Sequence, residues 1–214
     1  MNTDLSQSIL IIDDHPLFRK GLIQLIQSAA EFEIVGEASG GTDGIKLALD
    51  LHPDMILLDL NMKDMSGIDV LKALKSSELD TRIIMLTVSD NADDLAAAIR
   101  DGADGYLLKD MEPEDLLDNI RAGAMGKMTL NDKLTAMLAR ALNEGSKPKS
   151  TSEAGLTEQE EKILQLISTG KSNKLIAYDL GITEGTVKVH VKHTLKKLNL
   201  KSRVEAALWA LGNK

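Results

Sequence analysis

The chain has 214 residues, no cysteine and a formal net charge of −8. That length suits two small domains better than one. Without cysteine, neither a disulfide framework nor a thiolate metal site can form. No stretch reaches the ~18 uninterrupted apolar residues that would suggest a membrane span. The polar start Met-Asn-Thr-Asp-Leu-Ser lacks the basic-then-apolar pattern of a signal sequence, so a cytoplasmic protein is expected.

Taken in chain order, residues 8–13, 33–37, 54–59, 82–88 and 104–108 read as five short apolar strands. Helical patterns lie between and after them, near 16–28, 42–51, 66–76, 91–101 and 113–125. This alternation predicts βαβ units: an α/β, doubly wound, five-stranded parallel sheet with helices on both faces. Pro16 and Pro113 suit first helical turns, where a missing N–H costs little. Residues 129–142 have the pattern of one more amphipathic helix. Residues 143–155 hold no large apolar side chain and are rich in Ser, Gly and Lys, which predicts a flexible tether.

Beyond 156 the pattern is wholly helical. Thr157 and Glu160 form a capping box for a helix to about 168. A short helix over 172–180 ends at Gly181, Thr183 caps a helix over 184–198, and Ser202 caps one reaching about 211. Helix, tight glycine-containing turn, helix is the helix-turn-helix pattern. The plan is therefore an α/β domain over 1–127, a linker helix and tether over 128–155, and an all-α four-helix domain over 156–214.

Charge divides along the same lines. Residues 1–126 carry 10 Lys/Arg against 24 Asp/Glu, whereas residues 171–203 carry 8 against 2. An acidic half joined to a basic stretch suggests nucleic-acid binding by the tail. On charge alone a solvated helix face is the simpler reading, and the motifs reverse it.

Asp13, Asp14 and Asp59 each follow an apolar strand pattern. In open parallel sheets, ligands bind outside the carboxyl ends of the strands. Three carboxylates gathered there require a cation, and Mg²⁺, which takes hard oxygen ligands, is the natural guest. One aspartate would do to cap the helix at Pro16; two beside Asp59 exceed that need. Thr87 and Lys109 end the fourth and fifth strands at the same edge. A hydroxyl, an ammonium and a metal would neutralise and orient a phosphoryl group.

Residues 8–125 resemble the receiver domain of bacterial response regulators. The likeness rests on Ile12-Asp13-Asp14-His15-Pro16, Leu57-Leu58-Asp59-Leu60-Asn61-Met62, Leu86-Thr87-Val88-Ser89 and the run from Gly102 to Lys109. It implies that Asp59 accepts a phosphoryl group from a kinase phosphohistidine. Asp13, Asp14, Asp59 and the Asn61 carbonyl would hold Mg²⁺. Thr87 and Tyr106 would form the switch pair, with Lys109 at the phosphoryl group. His15 reads as local structure rather than a general base. Two positions depart from the pattern: Lys63 and Asp110 stand where many receivers have proline. The second leaves open whether the Lys109–Asp110 peptide is cis.

In the third of these helices, over 184–198, Val187, Val191, Leu195 and Leu198 recur at helical spacing and form one apolar face. Lys188, Lys192 and Lys196 form an adjacent row, placed to enter a major groove. Lysine contacts guanine and Val189 suits a thymine methyl. Lys174, Lys201, Arg203 and the Thr186 hydroxyl suit phosphates. Residues 156–211 resemble the LuxR-type DNA-binding domain through Leu156-Thr157-Glu158-Gln159-Glu160, Asn173-Lys174-Leu175-Ile176-Ala177 and Thr186-Val187-Lys188-Val189-His190. That resemblance makes Lys188, Val189 and Lys192 the base readers. It makes Val204, Ala207, Leu208 and Leu211 the dimer surface of a homodimer formed on phosphorylation. Trp209 is expected in the core.

A receiver joined to this domain resembles the NarL/FixJ family over nearly the whole chain. The match is closer still to its nitrate/nitrite regulators, through Tyr106-Leu107-Leu108-Lys109-Asp110-Met111 and Thr186-Val187-Lys188-Val189-His190-Val191. The resemblance implies a sensor histidine kinase, double-stranded DNA and RNA polymerase as partners. It also implies no enzymatic turnover. Two other readings compete with it. A Mg²⁺-dependent aspartyl phosphatase would usually carry Asp-x-Asp after its first strand, where this chain has Asp13-Asp14-His15. A regulator independent of phosphorylation would not need an intact pocket.

Overall fold

The structure is a computed structural model and describes residues 6–77, 79–89, 91–127 and 155–212. The helix expected over 129–142 and the tether, but for Gly155, lie outside the described residues.

The strands are β1 (Gln7–Ile12), β2 (Phe32–Ala38), β3 (Met55–Asp59), β4 (Arg82–Thr87) and β5 (Gly105–Leu108). All pair in parallel, in the order β2-β1-β3-β4-β5. Continuous apolar runs, rather than alternating ones, mark strands covered on both faces. Ile9, Leu10, Ile11 and Ile12 are all fully buried. Leu10 and Ile12 face one apolar cluster with α2 (Gly41–Leu51), α3 (Gly67–Ser76) and α4 (Ala92–Arg100). Ile9 and Ile11 face the other, with α1 (Pro16–Gln27) and α5 (Pro113–Ala124). The chain moves outward from β1 to β2 and then crosses back to β3. The carboxyl ends of β1 and β3 are thus the point where the strand order reverses, which is where such sheets bind ligands.

The second domain contains α6 (Glu158–Ser168), α7 (Asn173–Leu180), α8 (Glu184–Leu198) and α9 (Arg203–Gly212). It closes its own core around Ile163, Leu164, Ile167, Ile176, Val187 and Ala206, with Trp209 half-buried against it. Each helix start is specified by a short polar side chain. The Thr157–Glu160 capping box is complete, and Ser172, Thr183 and Ser202 accept backbone N–H groups at the next three starts. Element ends differ from the sequence expectations by a residue or two, as frayed ends do.

Candidate functional site

Asp13 lies one residue past β1 and Asp59 is the last residue of β3, so parallel pairing brings the two carboxylates together. Both side chains are buried. Lys109, just past β5, places its Nζ 2.8 Å from Asp13 Oδ2 and 2.8 Å from Asp59 Oδ2. The same ammonium lies 4.8 Å from the centre of the Phe18 ring. Burial pushes the Asp59 carboxyl above its ordinary range; hydrogen bonding from Lys109 opposes that shift and the Asp13 charge adds to it. Asp59 Oδ1 accepts from the Asn61 N–H at 3.2 Å.

His15 sits closer to this chemistry than expected. Its Nδ1 is 2.9 Å from Asp14 Oδ1 and 3.3 Å from both Asp13 Oδ1 and Asp59 Oδ2. The ring makes no side-chain cap for α1. It stands at the pocket mouth, within reach of all three carboxylates. One ligand atom from each of Asp13, Asp14, His15 and Asp59 lies within 4.8 Å of the others. Asp13 Oδ2 and Asp14 Oδ1 are buried without a well-formed hydrogen bond. Buried carboxylate oxygens with only charge contacts are what a hard divalent cation requires, so these residues fit Mg²⁺.

Thr87 and Tyr106, expected to form a switch pair, are packed inward. Thr87 is fully buried and its hydroxyl accepts from the Ser89 N–H at 2.9 Å. Tyr106 is fully buried, with its hydroxyl donating to the Ser89 carbonyl at 3.3 Å. The Lys109–Asp110 peptide is trans. Lys63, in the other departing position, donates its N–H to Asp14 Oδ2 at 3.3 Å and keeps its Nζ 3.9 Å from that oxygen.

Sequence reading missed three supports. A Cβ on Gly67 would fall 2.1 Å from the Asp59 carbonyl oxygen, so only glycine lets α3 start against the end of β3. The Asp64 carboxylate accepts the Gly41 and Thr42 N–H groups, fastening the pocket loop to α2. Arg19 donates to the Asp13 carbonyl at 2.6 Å. The adjacent Ser66-Gly67 was the one available signal, since serine before glycine marks a helix start; the other two contacts exist only in three dimensions.

In the second domain, Lys188, Val189, Lys192 and Lys196 line one exposed side of α8. Thr186 shares a 2.8 Å hydrogen bond with Thr183, and Lys174 is exposed on α7. Two expectations need correction. Arg203 is not turned outward to a phosphate: it donates to Asn173 Oδ1 at 2.8 Å and to the Lys171 carbonyl. The expected dimer surface is also only partly free. Val204 is buried in the receiver's α2–α4 cluster, and Leu208 packs on that cluster. Ala207 belongs to the core of its own domain, and Leu211 alone of the four is exposed. An apolar stripe records that a face is covered, not by what.

The two domains are therefore docked. α9 packs on α4, and Lys201 Nζ is 3.3 Å from Asp101 Oδ1 at the end of α4. The lysine row of α8 looks across a cleft of about 810 Å³ at the amino-terminal edge of the receiver sheet, where Arg82 and Asp54 lie. A helix must bring its face into a groove ~8.5 Å deep to read bases. The receiver stands in that path.

Residues 9–121 match the response regulator receiver domain family, and residues 154–210 match the LuxR family of bacterial regulatory proteins. The nitrate/nitrite response regulator protein NarL of Escherichia coli strain K12 is 51% identical over 98% of this chain and 97% of its own length. The corresponding protein NarP of the same strain is 47% identical over 94% of this chain and 92% of its own length. Among solved structures, a signal receiver domain described as that of a NarL response regulator from Mycobacterium tuberculosis aligns with a TM-score of 0.55. It is 33% identical and covers 57% of this chain and 98% of its own. With its carboxylates gathered at the β1/β3 crossing and a helix-turn-helix behind them, the chain belongs to the response regulators that join a receiver domain to a LuxR-type DNA-binding domain.

Proposed function

We propose that the protein is a two-component transcription regulator switched by phosphorylation of Asp59. The observation that carries this reading is the pocket itself: a buried acceptor carboxylate held by a buried ammonium, with two further carboxylates ready for a cation. A sensor histidine kinase presents a phosphohistidine. An Asp59 carboxylate oxygen forms the new O–P bond as the N–P bond breaks, and the imidazole leaves. Lys109 stays beside the acceptor and neutralises the incoming oxygens, and Asp13, Asp14 and Asp59, with the Asn61 carbonyl, would hold Mg²⁺. When bound, the ion offsets charge on the transferring group and orients it. The Thr87 hydroxyl then leaves Ser89 for a phosphoryl oxygen, and Tyr106 fills the space vacated.

Release follows from the docked arrangement. With α8 facing the receiver, the unphosphorylated chain holds its base-reading face away from DNA. Phosphorylation disfavours docking and frees α8, and α9 becomes available for a homodimer on paired half-sites. Lys188, Val189 and Lys192 read bases, and Lys174, Lys196, Lys201 and the Thr186 hydroxyl hold the backbone. The relatives' names point to nitrate/nitrite-responsive genes, with RNA polymerase as the downstream partner and the cytoplasm as the setting. The test is incubation with acetyl phosphate and Mg²⁺, followed by intact mass and DNA binding. One added phosphoryl group and tighter DNA binding are expected, both lost in Asp59→Asn. Full labelling of that variant would overturn the assignment.

A further inference from the structure

The interdomain cleft carries more positive charge than docking accounts for. Its walls hold eight Lys/Arg side chains against four Asp. Lys72, Lys75 and Lys201 are engaged with Asp101 or Asp104. The other five are not. Lys188, Lys192 and Lys196 have no ion pair among the described residues, and Arg82 and Arg203 bond only to neutral oxygens: the carbonyl of Ala124 for the first, Asn173 and the carbonyl of Lys171 for the second. Arg82 belongs to the receiver and Arg203 to the DNA-binding domain. Both line the same cleft, and burial, then the Arg82 charge, hold the Arg203 guanidinium down to about 10, with Asp104 opposing. The same wall contains Thr81, 7% exposed, whose buried hydroxyl has no hydrogen-bond partner. Two guanidinium groups lining one cleft from opposite domains, with a lysine row beside them, describe an anion site. Each guanidinium has five N–H donors, and the protein contacts use only some of them. The size, about 810 Å³, lies within the range of small-molecule sites.

We propose that this cleft binds a compact oligophosphate anion that bridges Arg82 and Arg203 and locks the docked, DNA-excluding state. The anion occupies the lysine row that phosphates of DNA would otherwise contact, and it replaces the repulsion between the two guanidinium groups by two charge-assisted attractions. Because it binds only where both walls are present, it stabilises the docked state by mass action. The regulator then carries a second, opposing control: phosphorylation at Asp59 opens the domains, and the bound anion resists that opening. The site lies at the opposite edge of the sheet from Asp59 and requires nothing of the acceptor, so labelling by acetyl phosphate tests the switch separately.

The test is calorimetric titration of the unphosphorylated full chain with inorganic tripolyphosphate in magnesium-free buffer, with ATP as a parallel arm. One saturable site is expected, weakened about tenfold or more in Arg82→Gln, since a charge-assisted bidentate contact is lost. Arg82→Lys, which keeps the charge but loses the bidentate fork and should also weaken binding, provides a second variant should Arg82→Gln fail to fold. Saturable, Arg82-dependent binding in either arm supports the proposal. Tighter tripolyphosphate binding identifies the free phosphate chain as the ligand, and tighter ATP binding identifies a nucleotide. Absence of saturation overturns it. So does undiminished affinity in both variants, which would mean that the anion merely coats the α8 lysines.

Discussion

Reversing one charge on the receiver should release the DNA-binding domain without touching any residue that meets DNA. Asp101 ends α4 with its side chain 17% exposed, and it holds Lys201 across the domain boundary at 3.3 Å. It also holds Lys72 of its own domain at 3.5 Å. The Lys201 side chain is 61% exposed, so solvent screens the pair and its worth lies within the usual ~0.2–1 kcal/mol of exposed pairs. Asp101→Asn removes that attraction. Asp101→Lys adds a repulsion of similar size, for a total of about 0.4–2 kcal/mol against docking. That corresponds to roughly 2–30-fold in the docked-to-free ratio. The assay is operator binding by the unphosphorylated full chain, followed by fluorescence anisotropy at low and moderate salt. The Lys variant should bind more tightly than wild type by up to that factor, and the Asn variant by about half of it in free energy. Salt should shrink both gains, because the interaction is screened within ~10 Å at 0.1 M. After acetyl-phosphate treatment the three proteins should converge, since docking no longer competes. If unphosphorylated Asp101→Lys bound DNA no better than wild type at low salt, with its thermal melt unchanged, the docked contact would not be what restrains α8.

Three other outcomes follow from particular contacts. Gly67→Ala places a methyl 2.1 Å from the Asp59 carbonyl oxygen, so the pocket loop must shift; a loss of about 1–3 kcal/mol in a urea melt and slower acetyl-phosphate labelling are expected, and normal values for both would show that α3 is free to move. Lys188→Ala should cost ~1–3 kcal/mol on specific DNA and relax one base position, whereas Lys174→Ala should weaken all sequences alike and flatten the salt dependence; equal losses on specific and random DNA for Lys188→Ala would refute its role as a base reader. Glu160 supplies the pH test. Burial acts to raise its pKa, yet the Lys197 ammonium at 2.7 Å and the Thr157 hydrogen bonds hold it below the ordinary value of 4.5. A carboxyl depressed in the folded state contributes stability above its unfolded pKa and loses it as pH falls through the folded value. The melting temperature of the DNA-binding domain should therefore drop on acidification below about pH 5, and Glu160→Gln should lower the neutral-pH value and flatten that slope; an unchanged slope would assign the acid sensitivity elsewhere.

The sheet was legible because its strands are covered on both faces. Uninterrupted runs such as Ile9–Ile12 leave little else for those residues to do. The carboxylate cluster was legible for a related reason: aspartates directly after such runs must emerge at one sheet edge, and polar residues there have no packing role. What the sequence hides is what depends on a second surface. The contact of His15 with the pocket reaches Asp59, 44 residues away. Gly67 is special only because the Asp59 carbonyl happens to lie beneath it. Arg203 follows Lys201 in a basic stretch and reads as a phosphate ligand, yet the fold turns it inward to Asn173. Val204 and Leu208 read as a dimer stripe because periodicity reports burial without naming the partner, and in the docked state the receiver is that partner.

The placement of α4 explains how a phosphoryl group at one edge of the sheet can govern a contact at the other. Its start is tied to the switch: the Ser89 N–H is held by Thr87, the Ser89 carbonyl by the Tyr106 hydroxyl, and the Ser89 hydroxyl donates to Asp94 in the first turn of α4. Its end is tied to the other domain, through Asp101 to Lys201 and through packing on α9. Nine helical residues span roughly 13 Å and move as a unit. If Thr87 turns to a phosphoryl oxygen, Ser89 loses the hydroxyl that accepts its N–H. If Tyr106 follows, the Ser89 carbonyl loses its donor. Both changes reset the first turn of α4, and a rigid helix carries that change to Asp101. The docking contact is weak, screened and made at the far end of that helix, so a modest shift suffices to break it. A strong contact there would hold the DNA-binding domain shut against the switch; a weak one, repeated at α9 and across the cleft, lets an equilibrium of a few kcal/mol be turned by one covalent event.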